Sequence, residues 1–234
     1  MANAKLYMVP CPIAQGDINH SIPDYNLEII KSLDYFIVEN VRSARRFISS
    51  LKLGITIDTL EFVELNEHTS PEQIQQMLKP LIDGRSAGVI SEAGVPGVAD
   101  PGADVVALAH THNIEVIPLV GPSSIILAMM ASGLNGQSFA FNGYLPIKQP
   151  DRRNAIKKLE QRAISERQSQ MFIETPYRNI AMLEELSASC KPNTLITVAS
   201  DIMGPEQFIL TTTAAKWKTK KVDIHKKPAI FIIG

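Results

Sequence analysis

One stretch of the chain combines residue types and spacing that could do chemistry. Ser91-Glu92-Ala93-Gly94-Val95-Pro96-Gly97-Val98-Ala99-Asp100-Pro101-Gly102 follows the apolar run Gly88 to Ile90 and opens a helical pattern containing Val105, Val106 and Leu108. Its glycines permit unusual dihedral angles and close backbone approach to a ligand. Its only charged side chains are the carboxylates Glu92 and Asp100. The spacing is neither G-x-G-x-x-G nor a Walker A sequence, and a polyphosphate would find no cation here. A ligand that carries positive charge would find two acids. The alternative is a tight strand-to-helix connection with no ligand.

The elements that must hold this loop can be read from hydrophobic period. In the first half, short runs at Leu6 to Val9, Tyr35 to Glu39, Leu60 to Glu64, Gly88 to Ser91 and Glu115 to Leu119 alternate with helical segments. This is the rhythm of a mostly parallel sheet covered by helices. Val41, Ala44, Phe47, Ile48 and Leu51 share one helical face behind Asn40 as N-cap. Ser70 with Gln73 forms a capping-box pattern, Pro71 suits the first helical turn, and Gly84 suits a left-handed stop. The segment Pro122 to Ser132 is apolar almost all round, which predicts a helix buried at a junction of layers or domains. Later strands are expected at Phe139 to Asn142, Met171 to Glu174, Leu195 to Ser200, Phe208 to Thr212 and Ile230 to Ile233, the last three close enough for antiparallel pairing. The expected fold class is α/β in two domains: residues 1–120 with a mostly parallel sheet and the glycine-rich loop, and residues 121–234 with a mixed sheet and helices.

Composition sets outer bounds. With 234 residues, 45% hydrophobic and 20% charged, the chain has the makeup of an ordinary globular protein. A net charge of −1 argues against nonspecific coating of nucleic acid but leaves room for local basic patches. Cys11 and Cys190, the only cysteines, form neither a disulfide framework nor a zinc spacing, so no metal is expected and a reducing cytoplasm fits. The start, Met1-Ala2-Asn3 before Leu6 to Val9, lacks the features of a signal peptide, and no apolar run is long enough to span a membrane.

Adenosylmethionine suits the loop: it has no phosphate, bears a sulfonium and an ammonium, and presents groups that backbone and acidic acceptors can bind. The loop also resembles S-D-A-G-T-P-G-I-S-D-P-G, a signature of the small-subunit ribosomal RNA cytidine 2′-O-methyltransferases of the tetrapyrrole-methylase superfamily. Further segments agree in order. Ile117-Pro118-Leu119-Val120-Gly121-Pro122-Ser123-Ser124 is similar to V-P-L-P-G-P-S-A, and Ala131-Ser132-Gly133-Leu134 to A-S-G-L. Phe141-Asn142-Gly143-Tyr144-Leu145-Pro146 resembles F-x-G-F-L-P, and Phe172-Ile173-Glu174-Thr175-Pro176-Tyr177-Arg178 resembles Y-E-S-P-H-R. The resemblance implies a tetrapyrrole-methylase-like fold, a homodimer, and adenosylmethionine held between two domains. Its implied donor contacts are Pro12, Glu92, Ala93, Gly94, Val95, Val98, Asp100, Ser123, Ser124, Tyr144, Glu174 and Pro176.

The departures fall where the methyl acceptor would be expected. T-P-I-G-N-L-x-D-I-T reads Cys11-Pro12-Ile13-Ala14-Gln15-Gly16-Asp17-Ile18-Asn19, and A-E-D-T-R reads Val38-Glu39-Asn40-Val41-Arg42. The later E-L-T-K-L-H-E-E region reads Ser200-Asp201-Ile202-Met203-Gly204-Pro205-Glu206. A hydroxyl acceptor needs alignment and removal of a proton. Asp17, Glu39 and Glu67 are candidate bases or orienting acids, with His68 a further one. Glu39 and Arg42 match the family as a pair that could surround a sugar or phosphate. For ribosomal RNA or the small ribosomal subunit as partner, three basic clusters could meet phosphates: Arg42, Arg45 and Arg46; Lys148, Arg152, Arg153, Lys157 and Lys158, the favoured one; and Lys216 to Lys221. The rival readings are a methyltransferase acting on a porphyrin or corrin precursor, whose loop would resemble G-D-P-G where this chain has Gly94-Val95-Pro96-Gly97, and a non-catalytic protein that binds an adenosyl ligand or RNA. A bulky residue at Gly94 should abolish donor binding and leave the fold intact.

Overall fold

The computed structural model describes residues 4–16, 18–66 and 68–234. The chain divides into two compact units, Met1–Ser123 and Ser124–Gly234.

The first unit is a five-stranded sheet of β1 (Lys5–Val9), β2 (Tyr35–Val38), β3 (Glu61–Glu64), β4 (Ala87–Ile90) and β5 (Glu115–Pro118), in the order β3-β2-β4-β1-β5. Every pairing is parallel. Four helices connect the strands: α1 (Asp24–Ser32), α2 (Val41–Ser50), α3 (Pro71–Ile82) and α4 (Ala103–Thr111). Because neighbouring strand residues point to opposite faces, each strand feeds two cores. Val9, Phe36, Val38 and Ile90 pack with Ile30 of α1 and Ala44 and Ile48 of α2. Leu6, Met8, Tyr35, Ile37 and Val89 pack with Ile74, Leu78 and Leu81 of α3 and Val105 and Ala109 of α4.

The two helix pairs therefore cover opposite faces, as right-handed crossovers require when the chain first winds toward β3 and then back toward β5. The connections that leave the adjacent parallel strands β2 and β4 run to opposite faces, through α2 and α4, and the crevice of such a sheet opens beyond the strands' carboxyl ends. The helix starts follow their expected chemistry. Asn40 accepts a hydrogen bond from the Ser43 N–H at 3.0 Å, and Ser70 and Gln73 form a complete capping box before Pro71. Gly84 follows α3 at φ +99°. Helix α1 is unmarked in the sequence: Pro23 precedes it and no side chain caps it.

The second unit holds β6 (Phe139–Tyr144), β7 (Ser169–Ile173), β8 (Leu195–Ser200), β9 (Phe208–Thr213) and β10 (Ala229–Ile233), in the order β6-β7-β10-β8-β9. β6 and β7 are parallel, and β10 runs antiparallel to both β7 and β8, as β9 does to β8. Phe172, Phe231 and Val198 pack on one face with Ile156 and Leu159 of α6 (Asp151–Ser165) and Met182 and Leu186 of α7 (Asn179–Ser189). On the other face, the Thr211 hydroxyl donates to the Ser132 carbonyl of α5 (Ser124–Ser132) at 2.6 Å. The apolar helix expected from Pro122 thus begins at Ser124, and burial all round is corrected: Ile125, Ala128 and Met129 are buried, whereas Ile126 is 50% and Met130 79% exposed. A helix lying on one sheet face has only one side to bury.

Candidate functional site

The loop Ser91–Gly102 leaves the carboxyl end of β4, with β2 and β1 on either side. It is tied to both. On the β1 side, Cys11 N–H donates to the Gly94 carbonyl at 2.8 Å and Gly94 N–H to the Cys11 carbonyl at 3.1 Å, an isolated antiparallel bridge. On the β2 side, the Glu39 carboxylate accepts from the Glu92 N–H at 2.9 Å. The Glu92 carboxylate in turn accepts from the Ser43 hydroxyl at 2.8 Å, at the start of α2.

Gly94 sits at φ +74°, and a Cβ there would lie 3.3 Å from Ile13 Cγ2 and 3.4 Å from the Pro122 carbonyl. A bulky residue at Gly94 therefore carries a cost to the fold as well as to a ligand. An L-residue in this left-handed conformation strains the backbone by roughly 1–2 kcal/mol, at the residue that forms the bridge. Gly121 is more tightly confined, because a Cβ there would meet Pro10 Cγ at 2.2 Å. The segments after β1 and β5 therefore touch backbone to ring, bringing the Pro122-Ser123 turn toward the same edge.

The electrostatics of the edge are acidic. Burial pushes Asp100 up to about 6, the nearby carboxylates of Glu39 and Glu92 add to it, and the Ser91 hydroxyl opposes them. Burial likewise pushes the Cys11 thiol up to about 12, with Asp100 contributing, so it stays protonated and is no nucleophile at neutral pH. With two carboxylates and no cation, the loop itself suits a cation better than a phosphate.

Of the catalytic candidates, Glu39 follows β2 directly and is half-buried, with its carboxylate engaged by the loop. Arg42 is exposed on the first turn of α2, and no Glu39–Arg42 ion pair occurs among the described residues. Asp17 and Glu67 lie outside the described residues. His68 lies in the turn before α3. Pro12, Ala93, Val95 and Val98 flank the Cys11–Gly94 bridge, with Ala93 and Val98 exposed. Ser43 carries no sequence signal of a role; only its hydrogen bond to Glu92 reveals one.

In the second unit, Tyr144 ends β6 and is exposed, and Ser124 opens α5. Glu174 follows β7 with a side chain only 1% exposed. One of its oxygens accepts from the Thr175 N–H at 2.6 Å and from Arg178 at 2.6 and 3.0 Å, while the other is buried without a partner. Burial pushes this acid up, but the Arg178 guanidinium and Thr175 N–H outweigh it, and the net direction is down. Pro176 opens a short 3₁₀ turn. Ser200, at the same end of the sheet, also has a buried hydroxyl without a partner.

The favoured basic cluster is partly spent on structure. Arg152 and Arg153 both face Glu185 of α7, at 3.8 and 3.1 Å. In the first cluster, Arg45 pairs with Asp58. Among the described residues, no group of three or more His, Cys, Asp or Glu is placed to hold a metal ion, and no helix is long and apolar enough to cross a membrane.

No family model matches the chain. It is 33% identical over 182 residues to "Ribosomal RNA small subunit methyltransferase I" of Vibrio cholerae, covering 77% of this chain and 59% of that protein. It is 29% identical to the protein of the same name from a Synechocystis strain, covering 84% of this chain and 66% of the relative. With the protein of that name from Buchnera aphidicola of Schizaphis graminum it shares 26% identity, over 97% of this chain and 77% of the relative. The chain spans less than two thirds of the length of the first two relatives. In fold it is similar to the crystal structure of the methyltransferase CobJ, with a TM-score of 0.64 and 16% identity, covering 99% of this chain and 94% of that one. The chain is thus related in sequence to the ribosomal RNA small subunit methyltransferase I proteins and shares the fold of the methyltransferase CobJ.

Proposed function

We propose that this protein is an adenosylmethionine-dependent methyltransferase that modifies a ribose 2′-hydroxyl of small-subunit ribosomal RNA, acting in the cytoplasm as a homodimer. The observation that carries the reading is the loop Ser91–Gly102, an acidic, lysine-free loop at the carboxyl edge of a parallel sheet whose backbone is held open by Gly94. The names of the relatives support it. Adenosylmethionine supplies, when bound, a methyl group on a positively charged sulfur. Asp100 and Glu92 provide the negative charge that such a ligand needs. Glu39 fixes the loop through the Glu92 N–H, so that the charges are positioned before binding. Pro12, Ala93, Gly94, Val95 and Val98 offer backbone and apolar contact, and Ser123, Ser124, Tyr144, Glu174 and Pro176 are the remaining proposed donor contacts. Arg42, free of Glu39 and exposed, suits a phosphate of the acceptor strand. Asp17 completes the proposed catalytic set with Glu39 and Arg42.

A second reading, a tetrapyrrole acceptor, is favoured by the fold likeness to CobJ and opposed by Gly94-Val95-Pro96-Gly97 in place of G-D-P-G. Methyl-labelled adenosylmethionine and small ribosomal subunits from a strain lacking the gene distinguish them. Label in the RNA of those subunits, and none in wild-type subunits, is expected. Labelling of a porphyrin or corrin precursor instead would overturn the RNA reading. Donor binding with no transfer to either would leave a binding protein.

A further inference from the structure

We infer that the segment Lys216–Lys221 of the second unit is a phosphate-contacting ridge that anchors the RNA substrate away from the donor residues, an inference that rests on the proposed RNA activity. Four lysines, Lys216, Lys218, Lys220 and Lys221, fall within six residues and all are exposed. None of them makes an ion pair among the described residues. The neighbouring acid Asp223 is taken by Lys227 at 3.0 Å.

The ridge is also held in place. Trp217 is buried and donates its indole N–H to the Ile196 carbonyl at 2.9 Å, with Phe208 edge-on to its ring. Ala214 N–H reaches the Thr194 carbonyl at 2.8 Å, and Ala215 N–H the Pro192 carbonyl at 3.0 Å. Thr213 caps the short helix α8 (Ala214–Trp217). A fixed backbone that displays mobile cations is suited to a polyanion, because only side-chain freedom is lost on binding.

Hollows lie on both sides of the ridge. One, of about 520 Å³, is lined by Lys218, Lys220, Lys221, Val222 and Ser187, with the single acid Glu184. The other, of about 530 Å³, is lined by Lys216, Lys220, Lys221, Thr212 and Thr219. Lys220 and Lys221 face both, so a strand that crosses the ridge would stay within reach of a lysine on either side. The hydroxyls of Thr212 and Thr219 add neutral donors of the kind that contact phosphate oxygens.

Sheet direction separates this ridge from Glu174, the second unit's buried acid proposed to meet the donor. β9 runs antiparallel to β8, which shares its direction with β7, so the ridge lies at the end of the sheet opposite Glu174 and Ser200. A five-residue strand spans about 17 Å. Within the second unit the ridge is thus remote from Glu174, and it contributes affinity rather than chemistry. An acidic protein is the other polyanion that could use it; RNA is favoured because the proposed activity has an RNA substrate.

The test is the variant Lys216→Gln/Lys218→Gln/Lys220→Gln/Lys221→Gln, beside a control with Lys157→Gln/Lys158→Gln on α6. Binding of a labelled single-stranded RNA of mixed sequence is followed by anisotropy across a fourfold range of salt, with adenosylmethionine affinity and melting temperature as checks on the fold. If each lysine meets one phosphate, the salt slope falls by about 2.8, so over that range the wild type loses about 50-fold more affinity than the variant. Donor affinity stays unchanged. An unchanged slope in a variant that still binds donor overturns the ridge and leaves the enzyme reading standing, as does an equal fall in the α6 control. Wild-type protein that binds polyglutamate but no RNA overturns both.

Discussion

Asp100→Asn should make the protein more stable and a poorer binder of adenosylmethionine, a combination that a purely structural aspartate would not give. Burial and the acids Glu39 and Glu92 raise Asp100 from 3.8 to about 6. A carboxyl raised in the folded state holds its proton more tightly folded than unfolded, so its contribution to stability is present at low pH and is lost as pH climbs from about 4 through about 6. Above that window the ionised group costs the fold nominally about 3 kcal/mol. Asp100 is only half-buried, and water screens the charge, so roughly 1 kcal/mol is the realistic cost. The variant should melt higher than wild type at pH 8, and the gap should close toward pH 4. Its adenosylmethionine affinity should fall by about five- to tenfold at pH 8, since one favourable charge worth about 1–1.4 kcal/mol is removed. Wild-type affinity should itself weaken as pH drops through about 6, and the variant's should not. Urea melts at several pH values and titration calorimetry read both quantities. A variant that is less stable at pH 8, or that binds donor as wild type does, would refute the assignment of Asp100 to the donor's positive charge.

Three further outcomes follow from the same geometry. Glu39→Gln keeps an acceptor for the Glu92 N–H but removes the charge next to Asp100, so the pH midpoint of donor binding should move below about 6; a carbon-13 titration of the Asp100 carboxyl checks it, and an unmoved midpoint would separate the two residues. Gly94→Val should abolish donor binding and also cost roughly 1–2 kcal/mol of stability, measured by thermal melting, because the residue is left-handed and bridges Cys11. Arg178→Met leaves the buried Glu174 carboxylate with only the Thr175 N–H and should lower the melting temperature, with substantial recovery in the Arg178→Met/Glu174→Gln double variant.

Much of the frame was legible in the sequence by itself. Hydrophobic period located the strands of both units, and Asn40, Ser70, Pro71 and Gly84 marked helix ends, because caps and left-handed stops are local chemistry that each residue carries with it. The loop Ser91–Gly102 was legible for the same reason: its glycines and its lack of cations are properties of one contiguous segment. Helix α1 was not, since Pro23 supplies no side-chain cap. The half-exposed state of α5 was hidden because an all-round apolar pattern does not say which face the sheet will take. Only the tertiary structure joined Glu39 to the Glu92 N–H and Ser43 to the Glu92 carboxylate across 53 and 49 residues, because the winding order that sets β2 beside β4 is a long-range choice. The basic residues show the same division. Composition made Arg152, Arg153 and Lys216 to Lys221 look alike, and folding alone placed Glu185 against the two arginines and left the lysines without an ion pair among the described residues.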